Sequence, residues 1–340
     1  MEILIYLPFL VPVLVANYAD RHRRQPYQAS DPQLNRLLDR ALAYLPHASL
    51  VALNLLLLAV SALAGLNELA TRLMPAEMAQ EQGALDANWL VLAAAAFLTA
   101  LLGFLPLFRG VRAWVARWLN IDPASRVHMT ALAYAIYQIG LSLGQMALLG
   151  SPETLAEAGL SLTIWDVLLS GLPLLAFALV GVGLWIRRNG RRTLERLGIT
   201  GITWRQLLAA AGIVALLLGF DLLINQLWQE VDPFGYSAME DVMNTLFGGL
   251  TTILGAIVLG LSAGISEELL FRGAVQPRLG LVIAALLFTI GHLQYGLTAA
   301  TLEVFVIGLV LGLVRKRANT TLCIVIHAGY NMVGILLEML

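Results

Sequence analysis

Hydrophobic residues along this chain fall in long unbroken runs separated by short polar stretches, with no lasting alternation of the kind a half-buried strand shows. Ten runs stand out, at 1–16, 48–66, 88–107, 128–149, 165–186, 206–228, 244–266, 280–297, 299–314 and 320–338. Leu and Ala dominate them, so the pattern predicts an all-α fold. A hydrocarbon core of about 30 Å needs ~20 apolar residues in a helix, and most of the runs supply that length. The first, eighth and ninth are short enough to be tilted or partly re-entrant. The fold class is a polytopic transmembrane helix bundle with about 8–10 membrane segments.

The polar stretches carry a second pattern. Taken alternately, 17–47, 108–127, 187–205, 267–279 and 315–319 hold twenty of the twenty-one Lys and Arg residues. The intervening loops hold Arg72 together with Glu68, Glu77, Glu81, Asp86, Glu153, Glu157, Glu230, Asp232, Glu240 and Asp241. Basic loops stay cytoplasmic, so this alternation predicts that both termini face outward. The run Met1–Ala16 lacks a basic leading region and is followed by Arg21, Arg23 and Arg24, the reverse of a cleaved signal peptide. It reads as a retained first helix. Between the first two runs, Asp31 opens a stretch with Leu34, Leu37, Leu38, Ala41 and Leu42 on one side, which suits a short interfacial helix.

Composition narrows the classes. Hydrophobic residues make up 59% and charged residues only 13% of the 340 positions, and the net charge of −1 offers no basic face for nucleic acid. The single cysteine, Cys323, lies in an apolar run and reads as a small buried hydrophobe. A lean toward Arg over Lys favours a bacterial inner membrane.

Polar residues inside apolar runs are costly and mark interior or functional positions. Asn54, Gln138 and Gln145 are of the kind that joins helices by hydrogen bonds. Asp221 and Asn225 lie one helical turn apart and suit packing or a cavity. Glu303, near the outer end of its run, and Glu338, at the C-terminal edge, can reach headgroups or solvent. The densest set lies in the last 75 or so residues: Glu267 and Glu268 followed by Arg272, Phe288 before His292, and His327 before Asn331. Residues four apart share a helix face, so Glu268 can pair with Arg272 while Glu267 turns about 100° away. The division expected is an ion pair for one glutamate and, for the other, a cavity shared with His292 and His327. By helical rise the three polar residues converge in the cytoplasmic half of the bilayer.

This set resembles the CPBP intramembrane protease family, also called the Abi or CAAX-protease family, which includes the CAAX prenyl endopeptidases. All three motifs occur in order, Glu267-Glu268-x-x-x-Arg272, Phe288-x-x-x-His292 and His327-x-x-x-Asn331. The resemblance implies a division into residues 1–160, helices of unassigned role, and 161–340, the protease core. It implies that Glu267 is the catalytic glutamate, that His292 helps it activate water, and that His327 and Asn331 stabilise the oxyanion. Glu268, Arg272 and Phe288 are implied as supporting residues.

The residue types agree with that chemistry. Peptide hydrolysis needs an activated water, a proton acceptor and donors for the oxyanion, and Glu267, His292, His327 and Asn331 can supply them. Alternatively Glu267, His292 and His327 form a His₂Glu ligand set for Zn2+, and the sequence leaves the metal-free and metal-bound routes both open. The substrate on this reading is a membrane protein or lipidated peptide. Two other classes fit a helix bundle with buried polar residues: a transporter with an intramembrane ion site, and a non-catalytic membrane scaffold or immunity protein.

Overall fold

The computed structural model describes residues 3–27, 30–74, 88–149 and 161–339, leaving aside the side chains of 3–5, 149 and 294. The loop acids Glu77, Glu81, Asp86, Glu153 and Glu157 lie outside the described residues. Every named element among the described residues is helical. In chain order they are α1 (Ile3–Arg24), α2 (Pro32–Leu73), α3 (Trp89–Gly103), α4 (Arg109–Val115), α5 (Arg126–Leu149), α6 (Ile164–Gly181) and α7 (Gly190–Leu197). There follow α8 (Trp204–Val231), α9 (Pro233–Phe247), α10 (Ile253–Glu268), α11 (Gln276–Leu279), α12 (Leu281–Ile290), α13 (Ala299–Arg317) and α14 (Thr320–Glu338).

Among the described residues seven stretches are long and apolar enough to cross a membrane: 32–73, 89–107, 126–148, 164–181, 204–231, 253–279 and 320–338. The shorter apolar helix α12 adds to them. The chain is an integral membrane protein. Local chemistry sets where the helices begin. Thr163 with Asp166, and Thr203 with Gln206, form capping boxes that satisfy the first free N–H groups of α6 and α8. Asn189 caps α7, and Gly198 ends it in the left-handed conformation (φ 77°) that a side chain disfavours.

Three element boundaries differ from the hydrophobic pattern. The stretch after Asp31 is the first part of α2, a single 42-residue helix that Asp31 caps at its start, and not a separate interfacial helix. Residues 244–247 belong to α9, and the span through Glu267 starts only at Ile253. The expected loop at 267–279 is helical throughout. A π-helical turn, Leu269–Val275, carries α10 straight into α11. A run containing Glu267, Glu268 and Arg272 looks like a solvated helix end, yet Glu268 and Arg272 are buried and bonded to one another, so the helix has no reason to stop there.

The basic stretches meet at one end of the bundle. Arg23 pairs with Asp122 at 2.7 Å, Asn120 bonds the carbonyls of Pro277 and Arg278, and Thr320 bonds Leu197 and Gly198. The expected alternation of loops therefore appears as a physical face. The opposite face is tied by backbone bonds from Asn88 to Ala147 and from Leu162 to Leu246, both 2.8 Å. Buried polar groups in α1 fix the N-terminal helices to the rest. Asn17 bonds the Val180 carbonyl at the end of α6, and Asp20 accepts from Ser125 Oγ and from the Arg126 N–H at the start of α5. Asn54 accepts from Tyr137 at 2.8 Å and so joins α2 to α5, as its position suggests, whereas Gln138 bonds Ser142 of its own helix.

The approach that positions the site is that of α10 on α14. Gly260 and Gly264, four apart, let the two backbones close on Ala328, a small-residue contact typical of helices in lipid. A Cβ at Gly260 would sit 2.6 Å from Met332 Cγ and 2.8 Å from the Ala328 carbonyl oxygen. The second neighbour is backbone and cannot swing aside. Gly260→Ala is therefore expected to cost about 1–3 kcal/mol through overpacking and to part α10 from α14. Thermal unfolding in detergent should show the loss, with Gly212→Ala, which meets open space, as the unaffected control.

Candidate active site

Four elements deliver the polar residues singled out by the sequence. The last turn of α10 carries Glu267 and Glu268, and the π-helical turn carries Arg272. Single π turns recur at functional sites because the extra residue re-aims side chains without breaking the helix. Phe288 lies on α12, and His292 falls in the turn after it, since α12 ends at Ile290. His327 and Asn331 lie one turn apart on α14. Glu267 is near the middle of the 27-residue span Ile253–Leu279, about 18 Å by helical rise from its basic end. That is deeper than a helix end at residue 266 implies.

Glu268 is fully buried and has two partners. Its Oε2 lies 3.1 Å from Arg272 Nε, and its Oε1 lies 2.9 Å from His327 Nδ1. This corrects the expected division of roles: His327 sits with Glu268, and Glu267 faces His292 alone. The physical reason is the α10–α14 contact at Gly264 and Ala328, which sets Glu268 beside His327 one turn further on. A carboxylate can only accept, so Nδ1 of His327 is the donor of that bond, and the pairing fixes the ring's orientation.

Arg272 is buried, its Nη1 unpartnered among the described residues, and has three neighbours: an ion-pair partner, a ring and a carbonyl. Its guanidinium lies 4.4 Å above the Phe288 ring, and one terminal nitrogen reaches the Gly308 carbonyl at 3.3 Å. A desolvated cation over an aromatic face contributes about 2 kcal/mol. One turn on, Gln276 donates to the Gly312 carbonyl at 2.8 Å. Gly308 and Gly312 open α13 to this approach, a role their four-residue spacing signals. Phe288 touches more of the site than a packing residue need. Its ring centroid is 4.8 Å from that of His292, 5.8 Å from His327 and 5.5 Å from Phe271.

Glu267 and His292 form the other half. His292 Nδ1 is 2.9 Å from the Phe288 carbonyl, an acceptor, so this nitrogen carries the proton. Nε2 is then the basic nitrogen of the neutral ring, and it lies 3.8 Å from Glu267 Oε2. That gap is too long for a direct hydrogen bond. Glu267 Oε2 is itself buried and has no hydrogen-bond donor among the described residues. Asn331, half-buried one turn beyond His327, makes no hydrogen bond among the described residues.

A second polar group adjoins Asn331. Glu303 is buried, 7% exposed, and accepts from the Tyr330 hydroxyl at 2.8 Å. It therefore does not reach the headgroups as its place in the run suggested, because α13 packs inward against α14. Asp221 accepts from Asn225 at 3.0 Å. Glu338 is exposed at the end of α14, as expected. Cys323 is fully buried.

Residues 249–333 match the family model for type II CAAX prenyl endopeptidase Rce1-like proteins. This stretch is an Rce1-like family domain. No curated protein and no solved structure matches the chain. The Rce1-like domain begins just before α10 and ends within α14, so it holds Glu267, Glu268, Arg272, Phe288, His292, His327 and Asn331 together. The helices α1 to α9 lie outside the match.

Among the described residues no three His, Cys, Asp or Glu side chains are grouped so as to hold a metal ion. In the Rce1-like domain His327 turns Nδ1 to Glu268, and Glu267 faces Nε2 of His292.

Proposed function

We propose that this chain is an intramembrane endopeptidase that hydrolyses a peptide bond in a membrane-embedded or lipid-anchored protein or peptide. The observation that carries the reading is the split of two adjacent glutamates. Glu268 is committed to Arg272 and His327, whereas Glu267 keeps an oxygen free of hydrogen bonds opposite His292.

The 3.8 Å between Glu267 Oε2 and His292 Nε2 suits a water held by both. Glu267 takes a proton from that water as its oxygen attacks the scissile carbonyl carbon. The carbonyl electrons move to oxygen, and the oxyanion meets Nε2–H of a His327 imidazolium and the Asn331 amide. Glu267 then returns the proton to the leaving nitrogen as the C–N bond breaks. Arg272 and a protonated His327 carry two positive charges against the negative charges of Glu268 and Glu267, and as Glu267 takes the proton its charge passes to the oxyanion, so the set stays neutral throughout. Charge arranged in advance for the transition state lowers the barrier more than it aids substrate binding.

The basic end of the bundle faces the cytoplasm on this reading, in a bacterial inner membrane. The helices α1 to α5 serve as a frame for the protease core. His292→Ala is expected to lower turnover by about 10²–10³-fold, the range for loss of an acid–base partner, with a small change in KM. Assay of purified protein on a membrane-anchored peptide checks this, and a loss confined to KM would contradict the assignment of His292.

A further inference from the structure

At the basic end, six arginines from separate segments come together: Arg24 at the end of α1, Arg187 and Arg188 after α6, Arg196 in α7, Arg278 in α11 and Arg315 in α13. Arg187 lies in the electrostatic field of Arg24, Arg188 and Arg278, and Arg196 in that of Arg187, Arg188, Arg278 and Arg315. Carboxylates offset them only in part. Glu195 pairs with Arg191 and Asp122 with Arg23. Asp20, 3.9 Å from Arg187, offsets one of the six charges while also accepting from Ser125 and the backbone of Arg126.

The arginines are held by neutral acceptors instead. Arg187 donates to Asn17 at 2.6 Å, Arg188 to the Val182 carbonyl, Arg196 to Gly273 at 2.9 Å and Arg315 to the Arg272 carbonyl at 3.2 Å. Each such bond uses one of the five N–H donors of a guanidinium and fixes its place. Arg187 also reaches the Gly181 carbonyl and Arg278 the Asn120 carbonyl, both at 3.4 Å, and a phosphate oxygen pair matches the fork of donors left over. Burial first, and the neighbouring arginines second, push Arg187 and Arg196 down to about 10. Both remain charged at neutral pH, so the repulsion is present under working conditions.

The loop that holds Arg187 and Arg188 also presents a tryptophan to the outside. Trp185 is 84% exposed and adopts φ 58°, the left-handed region that a bulky residue seldom enters. Its N–H bonds the Arg188 carbonyl at 2.7 Å, which closes the loop and turns the indole outward. Tryptophan gathers at the headgroup level of membranes, and clustered arginine there attracts acidic lipid.

We propose that Arg24, Arg187, Arg188, Arg196, Arg278 and Arg315 form a binding site for the phosphate headgroup of an anionic phospholipid, with Trp185 seated beside it in the interface. The site is separate from Glu267 and His292 and does not depend on the peptidase reading. Through Arg196 on the Gly273 carbonyl and Arg315 on the Arg272 carbonyl, a bound headgroup braces the turn that follows the site glutamates.

The test uses the delipidated full-length protein in neutral detergent, read by native mass spectrometry and thermal unfolding. Phosphatidylglycerol is expected to stay bound and raise Tm, while phosphatidylcholine and inorganic phosphate at equal concentration do neither. Arg188→Gln with Arg278→Gln should weaken phosphatidylglycerol binding about tenfold or more, whereas Arg191→Gln with Arg192→Gln, both exposed, should leave it unchanged. If the first pair does not fold, the salt dependence of the wild-type protein decides. Phosphatidylglycerol binding should fall about tenfold from low to molar salt. Equal binding of phosphatidylcholine, or no salt dependence, overturns the proposal. An equal shift by inorganic phosphate overturns the lipid assignment in favour of a free-anion site.

Discussion

Glu267→Gln will abolish peptide cleavage, by about 10³-fold or more, and leave the protein as stable as the wild type. The two halves of this expectation come from the same geometry. Glutamine keeps the shape of the side chain but cannot take a proton from water, so the step that generates the nucleophile is lost. Stability is spared because Glu267 Oε2 has no hydrogen-bond donor among the described residues and lies 3.8 Å from the neutral His292 ring, too far for a direct bond. A half-buried carboxylate whose Oε2 is buried without a donor is a cost to folding that a neutral amide does not add to. Turnover of a membrane-anchored peptide and thermal unfolding on the same preparation check the pair of outcomes. Full activity would remove Glu267 from the mechanism, and a large drop in Tm would make it a structural residue.

Glu268 behaves in the opposite way. Glu268→Ala is expected to cost about 3–5 kcal/mol, the scale for removing one partner of a buried ion pair, together with the loss of activity. It strands Arg272, which is 1% exposed and sits over Phe288, and it leaves His327 Nδ1 without its acceptor. Arg272→Ala should do similar damage by stranding Glu268. The double variant Glu268→Leu with Arg272→Met separates charge from shape. An apolar pair of similar volume often matches a buried ion pair in stability, so it should unfold at a higher temperature than either single alanine variant. It should stay inactive, because His327 is no longer oriented. A double variant less stable than both singles would mean that the pair contributes through something other than its charges.

Much of this was readable from residue spacing. Long Leu- and Ala-rich runs sufficed for the helix bundle, and the distribution of twenty Lys and Arg residues anticipated the basic face. The four-residue spacing of Glu268 and Arg272 anticipated their ion pair, found at 3.1 Å. What was hidden depended on partners distant in sequence. Periodicity places Glu267 and Glu268 about 100° apart, but only the approach of α10 to α14 decides that Glu268 takes His327. The same blindness misplaced the end of α10. Three charged residues in a row of six read as a helix end in water, whereas Arg272 and His327 satisfy Glu268 inside the bundle. Glu303 looked free to reach the headgroups for the same reason, since its Tyr330 partner is on another helix.

Other features carried a signal. Gly260 with Gly264, and Gly308 with Gly312, show the small-residue spacing that lets membrane helices touch, and each pair supports one side of the site. Asn17 and Asp20 were concealed by position. They fall just past the first apolar run, where polar residues look like the start of a loop, yet both are fully buried and bind α1 to α5 and α6.

On the proposed function, proteolysis within the membrane depends on Glu267. The most direct test is quantitative terminal proteomics of membranes from cells producing the wild-type protein or Glu267→Gln at equal levels. The account predicts one or more new termini, within or beside a membrane segment or lipid anchor, that appear with the wild type and vanish with the variant. Identical sets of termini, with both proteins folded and present in the membrane, would contradict it.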